Sequence, residues 1–338
     1  MTAQLNLGLI GAGRIGRLHA EHIASRIPTA RCLIVADVNE EAAQRAADEF
    51  RINYAVQDYT QIINSPAIDA VVICSATHTH AQIIQEAAAA GKHVFCEKPI
   101  DHNLLVIDAA LEAVEAAGVK LQVGFNRRFD ANYARVRRAI RDGEIGKPRL
   151  MHIVSRDPAP PPLEYIKVSG GIFLDMTIHD FDMARFLMGS EVEEVYAAAG
   201  VLVDPAIGAA GDLDTAVVTL KFANGAIGVI DNCREAVYGY DQRVEVLGSG
   251  GSVATENNYP NAAVISTDRV VRRDLPLNFF MERYTESYVA ELQQFVDCVL
   301  HDKPVPVTGQ DGRIPVVIGL AARKSYDENR PVKVSEIG

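Results

Sequence analysis

The first 125 or so residues alternate short apolar runs with segments of helical periodicity. The apolar runs are rich in Val and Ile, like parallel strands buried on both faces, and they are LNLGLIG (5–11), CLIVADV (32–38), DAVVICSA (69–76), HVFCEKP (93–99) and KLQVGFN (120–126). The helical segments between them are EEAAQRAADEF (40–50), HAQIIQEAAAAGK (80–92) and NLLVIDAALEAVEAAG (103–118). This alternation predicts an α/β Rossmann domain with a doubly wound parallel sheet over residues 1–125.

After about residue 150 the pattern changes to strands joined by turn signals. The predicted strands are EVYAAAGVLV (194–203), DTAVVTLKF (214–222), AIGVIDNC (226–233) and DQRVEVLG (241–248). Asn224–Gly225 lies between two of these strands and is typical of a hairpin turn. Helical segments at 174–189 and 284–300 flank the strands, and DPAPPP (157–162) predicts an ordered loop. Residues 126–338 are therefore predicted to form an α+β domain with an open antiparallel sheet.

Composition and charge narrow the class of protein. Of the 338 residues, 48% are hydrophobic and 23% are charged, which suits two ordinary globular domains. The net charge of −11 opposes binding to nucleic acid or to an acidic membrane. The five cysteines are dispersed without a CxxC pair, which indicates buried thiols rather than disulfides. The N-terminal MTAQLNLGLIGAG lacks the regions of a signal peptide, so a cytoplasmic location is expected.

The clearest chemical motif is Gly11-Ala-Gly13-Arg-Ile-Gly16, which follows the first strand and opens a helix. Its glycines permit a tight turn, a close backbone approach to a pyrophosphate, and close helix–strand packing. Asp37 ends the second strand, where a carboxylate binds ribose hydroxyls and repels a 2′-phosphate. The alternative interpretation is a glycine turn in another kind of α/β protein, with Asp37 as a helix cap. The complete strand–turn–helix context favours the dinucleotide site over this alternative. The motif therefore predicts binding of NAD rather than NADP.

Two further segments follow strands, at the edge where ligands bind in open parallel sheets. Ser75-Ala76-Thr77 could contact the cofactor, or Thr77 or Thr79 could cap a helix, and the two roles are compatible. Glu97-Lys98-Pro99 ends the next strand along the chain. A lysine there can hydrogen-bond a substrate hydroxyl and stabilise the negative charge that develops during its oxidation. A solvated surface lysine is the alternative interpretation.

Asp175 and His179 are spaced i, i+4 in the helical segment 174–189, so both side chains are expected on one helix face. A histidine can take the proton of a hydroxyl while hydride leaves, and a carboxylate can orient that histidine. An N-terminal helix aspartate beside a core histidine is an alternative, and a metal pair is another. Neither a cysteine cluster nor an HExxH pattern is present, so no metal site is predicted.

The ordered set GAGRIG, ADVN, SATHTH, EKP, GFNRRFD and GGIFLDMTIHDFDMARF resembles the glucose–fructose oxidoreductase and inositol dehydrogenase family over essentially the whole chain. Within that family, MHIVSRDPAPPP and LDMTIHDFDMARFLMG are most similar to the bacterial inositol 2-dehydrogenases. The resemblance implies a Rossmann domain and an open antiparallel sheet that covers the cofactor, binds substrate and packs against other subunits. A homodimer or homotetramer is expected, because a sheet with one uncovered face usually pairs.

The resemblance also implies roles for individual residues. Lys98 would polarise the substrate oxygen, Asp175 would hydrogen-bond that lysine, and His179 would be the general base. Cofactor contacts are expected at Gly11, Gly13, Arg14, Ile15, Gly16, Asp37, Ser75, Ala76, Thr77, His80, Glu97 and Lys98. Substrate contacts are expected at Lys98, Asn126, Arg127, Asp157, Asp175, His179, Tyr238 and Tyr240. The two tyrosines flank Gly239 and are expected on one side of a strand, with simple packing as the alternative.

The expected reaction is oxidation of a secondary hydroxyl of a cyclic polyol by NAD, with myo-inositol giving an inosose. The alternatives are a dehydrogenase for another sugar or inositol isomer and an NAD-dependent glycoside hydrolase of the same fold. A sensor that binds NAD without turnover is a further alternative, opposed by the presence of Lys98, Asp175 and His179. The expected setting is inositol catabolism, with a small-molecule substrate and neither nucleic acid nor membrane as a partner.

Overall fold

The computed structural model describes residues 4–338. The chain folds into two compact units, the first made of residues up to Asn126 and Glu286–Ile314, the second of Arg127–Thr285 and Pro315–Gly338. The domain division at 125/126 stays a prediction, and residues 286–314, which it places in the second domain, pack in the first unit. Residues 1–3, where the first domain and the segment compared with a signal peptide begin, lie outside the described residues.

The first unit is built on a parallel sheet of six strands. The strands are β1 (Leu5–Ile10), β2 (Ala30–Ala36), β3 (Tyr54–Val56), β4 (Ala70–Ile73), β5 (His93–Glu97) and β6 (Leu121–Gly124). The helices between them are α1 (Arg14–Arg26), α2 (Glu40–Phe50), α3 (Thr60–Ile63), α4 (Thr77–Ala89) and α5 (Leu104–Ala117). The sheet order is β3-β2-β1-β4-β5-β6, and every neighbouring pair is parallel. The predicted doubly wound sheet is confirmed, and only the three-residue β3 was too short to predict.

The second unit contains a sheet of seven strands and a separate two-stranded hairpin. Its strands are β7 (Pro148–Arg156), β8 (Val192–Gly200), β9 (Thr215–Phe222), β10 (Ile227–Cys233), β11 (Asp241–Gly248), β12 (Ser252–Ala254), β13 (Val264–Ser266), β14 (Val271–Arg273) and β15 (Val332–Lys333). Its shorter helices are α6 (Ala131–Arg141), α7 (Leu163–Ile166), α8 (Ile172–Asp175), α9 (Ile178–Met188), α10 (Pro205–Ala209) and α11 (Phe280–Arg283).

The large sheet has the order β12-β11-β7-β10-β9-β8-β15, and β13 pairs only with β14. All its pairs are antiparallel except β7–β10, which is parallel. The predicted open antiparallel sheet is therefore confirmed in its main part, with one parallel pair at its centre. Strand β7 was not among the predicted strands, because Arg149 and His152 interrupt its apolar positions and leave no strong apolar run. The hairpin turn at Asn224–Gly225 is confirmed, with Gly225 at φ 84°.

The helix predicted over 174–189 is two helices. Asp175 is the last residue of α8, and His179 is the second residue of α9. Met176 and Thr177 between them keep right-handed helical dihedrals, but the Thr177 amide donates to Ile172 O instead of continuing the regular ladder. The expectation of one continuous helix was wrong, because the turn from Ile172 to Thr177 contains one residue more than a regular α-helical turn.

Two long helices follow α11 along the chain: α12 (Thr285–Leu300) and α13 (Gly309–Glu328), whose residues from Pro315 onward belong to the second unit. In α12, Leu292, Phe295 and Val296 are fully buried in the core that also contains β1, β2 and β4. Burial of each such side chain contributes about 1.5–3 kcal/mol, which explains why α12 belongs to the first unit. Helix α13 was not predicted, because its first half carries two glycines and Pro315, which are poor helix formers. No helix in residues 4–338 is long and apolar enough to cross a membrane.

Candidate active site

The glycine-rich turn after β1 has the geometry that a dinucleotide requires. Gly11 has φ 99°, and a Cβ there would lie 2.6 Å from backbone atoms of Cys74, at the end of β4. A Cβ on Gly16 would lie 1.9 Å from Gly11 O, so α1 can approach the turn only with a glycine at this position. Gly13 instead faces open space, where an added Cβ would meet no atom within 4 Å. Because β1 and β4 flank the point where the strand order reverses, this turn lies where dinucleotides bind, and its residues fit NAD.

Asp37 lies directly beside this turn. Its Oδ2 accepts a hydrogen bond from the Ala12 amide (2.7 Å), and its Oδ1 accepts one from the Asn39 amide (2.8 Å). Each carboxylate oxygen has a second lone pair, so these bonds fix the carboxylate and leave it able to accept from ribose hydroxyls. The carboxylate therefore has a defined position relative to the cofactor turn, as its predicted role requires.

A buried histidine, His80, hydrogen-bonds the backbone of the segment that follows β4. His80 is almost fully buried, with Nε2 2.9 Å from Ser75 O and Nδ1 2.9 Å from Pro99 O, so it joins the segments that follow β4 and β5. Desolvation lowers the pKa of His80 below its usual value. The N-cap of α4 is Ala76 and carries no side-chain capping bond, while Thr79 Oγ1 donates back to Ala76 O. The capping alternative for Thr77 or Thr79 is thus not found, and the cofactor contacts stay a prediction.

The carboxyl end of β5 carries Glu97 and the half-buried Lys98. Glu97 Oε1 lies 2.7 Å from His19 Nε2, on α1. Asn126 is buried at the end of the segment that follows β6, and its Nδ2 has no hydrogen-bond partner in the described chain. An unsatisfied buried amide costs about 1–3 kcal/mol, which a ligand acceptor would recover. This supports the predicted ligand contact of Asn126.

In the second unit, two side chains that the sequence analysis did not identify fix Asp175. The Tyr165 hydroxyl donates to Asp175 Oδ1 (2.7 Å), and Arg234 Nη1 donates to Asp175 Oδ2 (3.1 Å). Arg234 is fully buried, and its Nη2 donates to Asp212 Oδ2 (3.3 Å). Arg234 therefore joins Asp175 and Asp212. It lies between β10 and β11, 59 residues from Asp175, and no spacing rule connects the two.

Asp157, which was predicted to recognise a substrate hydroxyl, interacts electrostatically with Arg234 and Asp175. Burial raises the pKa of the Asp157 carboxyl to about 6, the charge of Arg234 lowers it, and that of Asp175 raises it. Asp157, Asp175 and Asp212 thus share one region of the second unit with the buried guanidinium of Arg234, and the charges of Arg127 and Asp180 also act on Asp157. Such a set of acceptors suits a ligand with several hydroxyl groups.

The remaining predicted substrate residues of the second unit have other partners. Arg127 is buried and forms an ion pair with Asp180, at 2.6 Å, and its Nη2 lies 3.4 Å from the Tyr240 hydroxyl. The Tyr238 hydroxyl donates to Asp241 Oδ2 (2.7 Å). Both tyrosines precede β11 in a turn, where Gly239 has φ 125°, so the expected strand alternation was wrong. The two hydroxyls have different partners, and their substrate contacts stay a prediction.

Comparison with known proteins agrees with this arrangement. Residues 5–125 match the oxidoreductase family with an NAD-binding Rossmann fold, and residues 133–254 match the GFO/IDH/MocA C-terminal domain. The chain is 49% identical to myo-inositol 2-dehydrogenase of Thermotoga maritima, covering 98% of this chain and 99% of that protein. It is 46% identical to inositol 2-dehydrogenase of Rhizobium meliloti, covering 98% and 99% of the two chains.

A solved structure extends the comparison to ligands. The scyllo-inositol dehydrogenase of Lactobacillus casei, crystallised with bound NAD(H) and scyllo-inositol, superposes with a TM-score of 0.92 at 29% identity. The match covers 98% of this chain and 99% of that one. The family matches, the cofactor turn and the fold lead to one assignment: this chain belongs to the GFO/IDH/MocA family of oxidoreductases, with an NAD-binding Rossmann fold.

Proposed function

We propose that this chain oxidises a ring hydroxyl of an inositol to a ketone, with NAD as the hydride acceptor and myo-inositol as the main substrate. The observation that carries the proposal is the fixed Asp175 carboxylate, held by Tyr165 and Arg234 one turn before His179. The 49% identity to the Thermotoga maritima myo-inositol 2-dehydrogenase supports the choice of substrate.

Each predicted catalytic residue has a chemical task in this reaction. His179 takes the proton of the reacting hydroxyl, because an imidazole can accept a proton near neutral pH. Lys98 donates a hydrogen bond to the same oxygen and stabilises the negative charge that develops there. Asp175 is held as a carboxylate acceptor by Arg234, so it orients its catalytic partners. NAD, when bound, accepts the hydride.

The test is formation of NADH by the purified protein with NAD and a panel of myo-inositol, scyllo-inositol, chiro-inositol, glucose and xylose. We expect NADH with myo-inositol at a kcat/KM at least about tenfold above the sugars, since each misplaced hydroxyl leaves a buried polar group unpaired. His179→Ala is the control for contaminating dehydrogenases. Binding of NAD with no NADH from any compound would reject the proposal. Release of free sugar from a glycoside without net NADH would favour the hydrolase alternative.

A second candidate substrate is scyllo-inositol, which the Lactobacillus casei relative binds. Scyllo- and myo-inositol differ in the configuration of one ring hydroxyl, and oxidation at that carbon gives the same ketone from both. The same panel decides between them through the ratio of the two kcat/KM values. A ratio above one for scyllo-inositol would make it the main substrate and leave the reaction type unchanged.

We further propose that the protein is a homodimer or homotetramer that pairs through the outer face of the large sheet. Leu247, Leu150 and Ile227 are direct neighbours on β11, β7 and β10, and each is 43–45% exposed. Such an apolar row across three strands is typical of a surface covered by another subunit. Leu150→Glu should lower the mass of the oligomer in light scattering, and Leu105→Glu, which changes a 78%-exposed leucine of α5, is the matched control. An unchanged mass for Leu150→Glu would reject this interface.

A cytoplasmic role in inositol catabolism completes the proposal. The five cysteines are free thiols, three of them buried, which suits a reducing compartment. Fractionation of cells that express the tagged protein tests the location, and loss of growth on inositol after deletion of its gene tests the role. Normal growth of the deletion strain on inositol would reject the catabolic role.

A further inference from the structure

Three ionisable side chains of the first unit meet in its interior; one of them, Glu97, is also an expected cofactor contact, and none is among the catalytic candidates Lys98, Asp175 and His179. The three side chains are His19 on α1, Glu97 at the end of β5 and Glu291 on α12. One imidazole nitrogen and one oxygen of each carboxylate all lie within 4.8 Å of one another. The side chain of His19 is fully buried, and that of Glu97 is 13% exposed. Phe95 and Tyr288 contact the His19 ring edge-on, so the imidazole has a fixed orientation.

Glu291 is the unusual member of this cluster. It is fully buried, and neither carboxylate oxygen has a hydrogen-bond partner in the described chain. Its polar neighbour on β6, Gln122, donates to the backbone carbonyl of Glu291 (2.8 Å) and not to the carboxylate. A buried carboxylate without partners costs several kcal/mol, because it loses its hydration and gains nothing in return. A cation in the gap between Glu291 and the His19–Glu97 pair would offset this cost.

We propose that His19, Glu97 and Glu291 bind a divalent transition-metal ion, with Zn²⁺ as the representative of the class. Two carboxylates and a neutral imidazole carry a charge of −2, which a divalent cation neutralises. One nitrogen and two oxygen ligands suit Zn²⁺, whereas Ca²⁺ takes six to eight oxygens and Mg²⁺ retains several waters. Glu97 is 13% exposed, so water can reach the site and supply a fourth ligand. The ion binds His19 Nε2 in place of the hydrogen bond to Glu97 Oε1 (2.7 Å), and the ring proton moves to Nδ1, so the imidazole stays neutral.

The consequence of such a site is structural. Its three ligands come from α1, β5 and α12, and α12 is the segment that returns to the first unit after the second. The ion would hold this returning helix against the sheet and fix the end of β5, one residue before Lys98. The inference does not depend on the proposed substrate, because neither the site nor its test involves inositol.

The experiment uses the full-length protein, stripped with a chelator, incubated with Zn²⁺, gel-filtered and analysed by mass spectrometry for bound metal. We expect about one zinc ion per chain in the wild type and at least a tenfold lower content in Glu291→Gln. Glu286→Gln is the matched control, because Glu286 lies on the same helix, is 78% exposed and pairs with Arg26. Zinc should also raise the Tm of the wild type by about 5 °C and leave that of Glu291→Gln unchanged.

Three results would overturn the inference. A wild type that retains no zinc after gel filtration indicates that a proton or a buried water occupies the gap. Equal zinc content in the wild type and in Glu291→Gln indicates binding at other sites. A rise in Tm of the same size in both proteins leads to the same conclusion. If Glu291→Gln does not fold, His19→Gln replaces it, and the wild-type measurement stands without either variant.

Discussion

The dinucleotide turn of the first unit and the Asp175 region of the second unit are built on different principles. The turn depends on atoms that are absent, since an added Cβ at Gly16 would meet Gly11 O at 1.9 Å. The Asp175 region depends on atoms that must be present, since the buried guanidinium of Arg234 joins two carboxylates. The first is a steric requirement within six consecutive residues. The second is a balance of charge among residues far apart in the chain.

This difference predicts how each region fails. A substitution in the turn displaces the cofactor but leaves the charges of the protein unchanged. A substitution in the Asp175 region leaves a buried charge uncompensated, so it affects stability and the reaction together. Variants that separate binding of NAD, stability and turnover therefore test the comparison.

Replacement of Arg234 by methionine should have the largest effect. Methionine fills a similar volume but leaves Asp175 and Asp212 without their buried counter-ion, and this type of loss costs about 3–5 kcal/mol. Urea unfolding measures the decrease. The matched control is Arg135→Met, because the 47%-exposed Arg135 pairs with the 46%-exposed Glu144 at the surface, where an ion pair contributes at most about 1 kcal/mol. Equal losses in the two variants would show that Arg234 is not the charge that balances this region.

Replacement of His179 by alanine should separate turnover from cofactor binding. Without the proton acceptor, kcat should fall by about 10²-fold or more, which corresponds to about 2.7 kcal/mol. The Kd for NAD, measured by fluorescence titration, should not change, because the cofactor turn lies in the first unit. His301→Ala, at an exposed position just after α12, serves as the control. Unchanged turnover in His179→Ala would remove this residue from the mechanism.

The sequence predicted the first region far better than the second. The GAGRIG turn and Asp37 are identified by local spacing, because a strand, a turn and a helix that follow one another bring them together. The partners of Asp175 have no such signal, since Tyr165 lies in a short helix after the proline loop and Arg234 lies 59 residues after Asp175. His19 and Glu97, 78 residues apart, meet only because α1 packs beside β5. Long-range charge pairs follow from the packing and not from any pattern along the chain.

The same reasoning explains the errors about individual elements. The i, i+4 spacing of Asp175 and His179 suggested one helix, but Thr177 bonds to Ile172 O and the chain forms two. The alternation of Tyr238 and Tyr240 suggested a strand, but Gly239 at φ 125° turns the chain there. A periodic pattern specifies the type of element, whereas a single extra residue in a turn or a left-handed glycine decides where its side chains are directed.

The raised pKa of Asp157 gives a pH-dependent test of the charge balance. The folded protein holds this proton more tightly than the unfolded chain, because the pKa rises from 3.8 to about 6 on folding. Its contribution to the free energy of unfolding is therefore complete below pH 3.8 and is lost as the pH rises through about 6. The loss should approach about 3 kcal/mol. Urea unfolding of the wild type and Asp157→Asn between about pH 4 and 7 measures it, and a constant difference between the two proteins would contradict it.

Replacement of Asp37 by asparagine should give the smallest effect, mainly on the choice of cofactor. The variant has one oxygen, so it keeps only one of the two bonds from the amides of Ala12 and Asn39, and it loses the negative charge that repels a 2′-phosphate. We expect the ratio of kcat/KM for NAD to that for NADP to fall about tenfold, or about 1.4 kcal/mol, with a loss of stability of about 1 kcal/mol for the missing hydrogen bond. Asp48→Asn, exposed on α2, controls for a general change of surface charge. A ratio that stays at the wild-type value would mean that the shape of the site, and not this carboxylate, selects NAD.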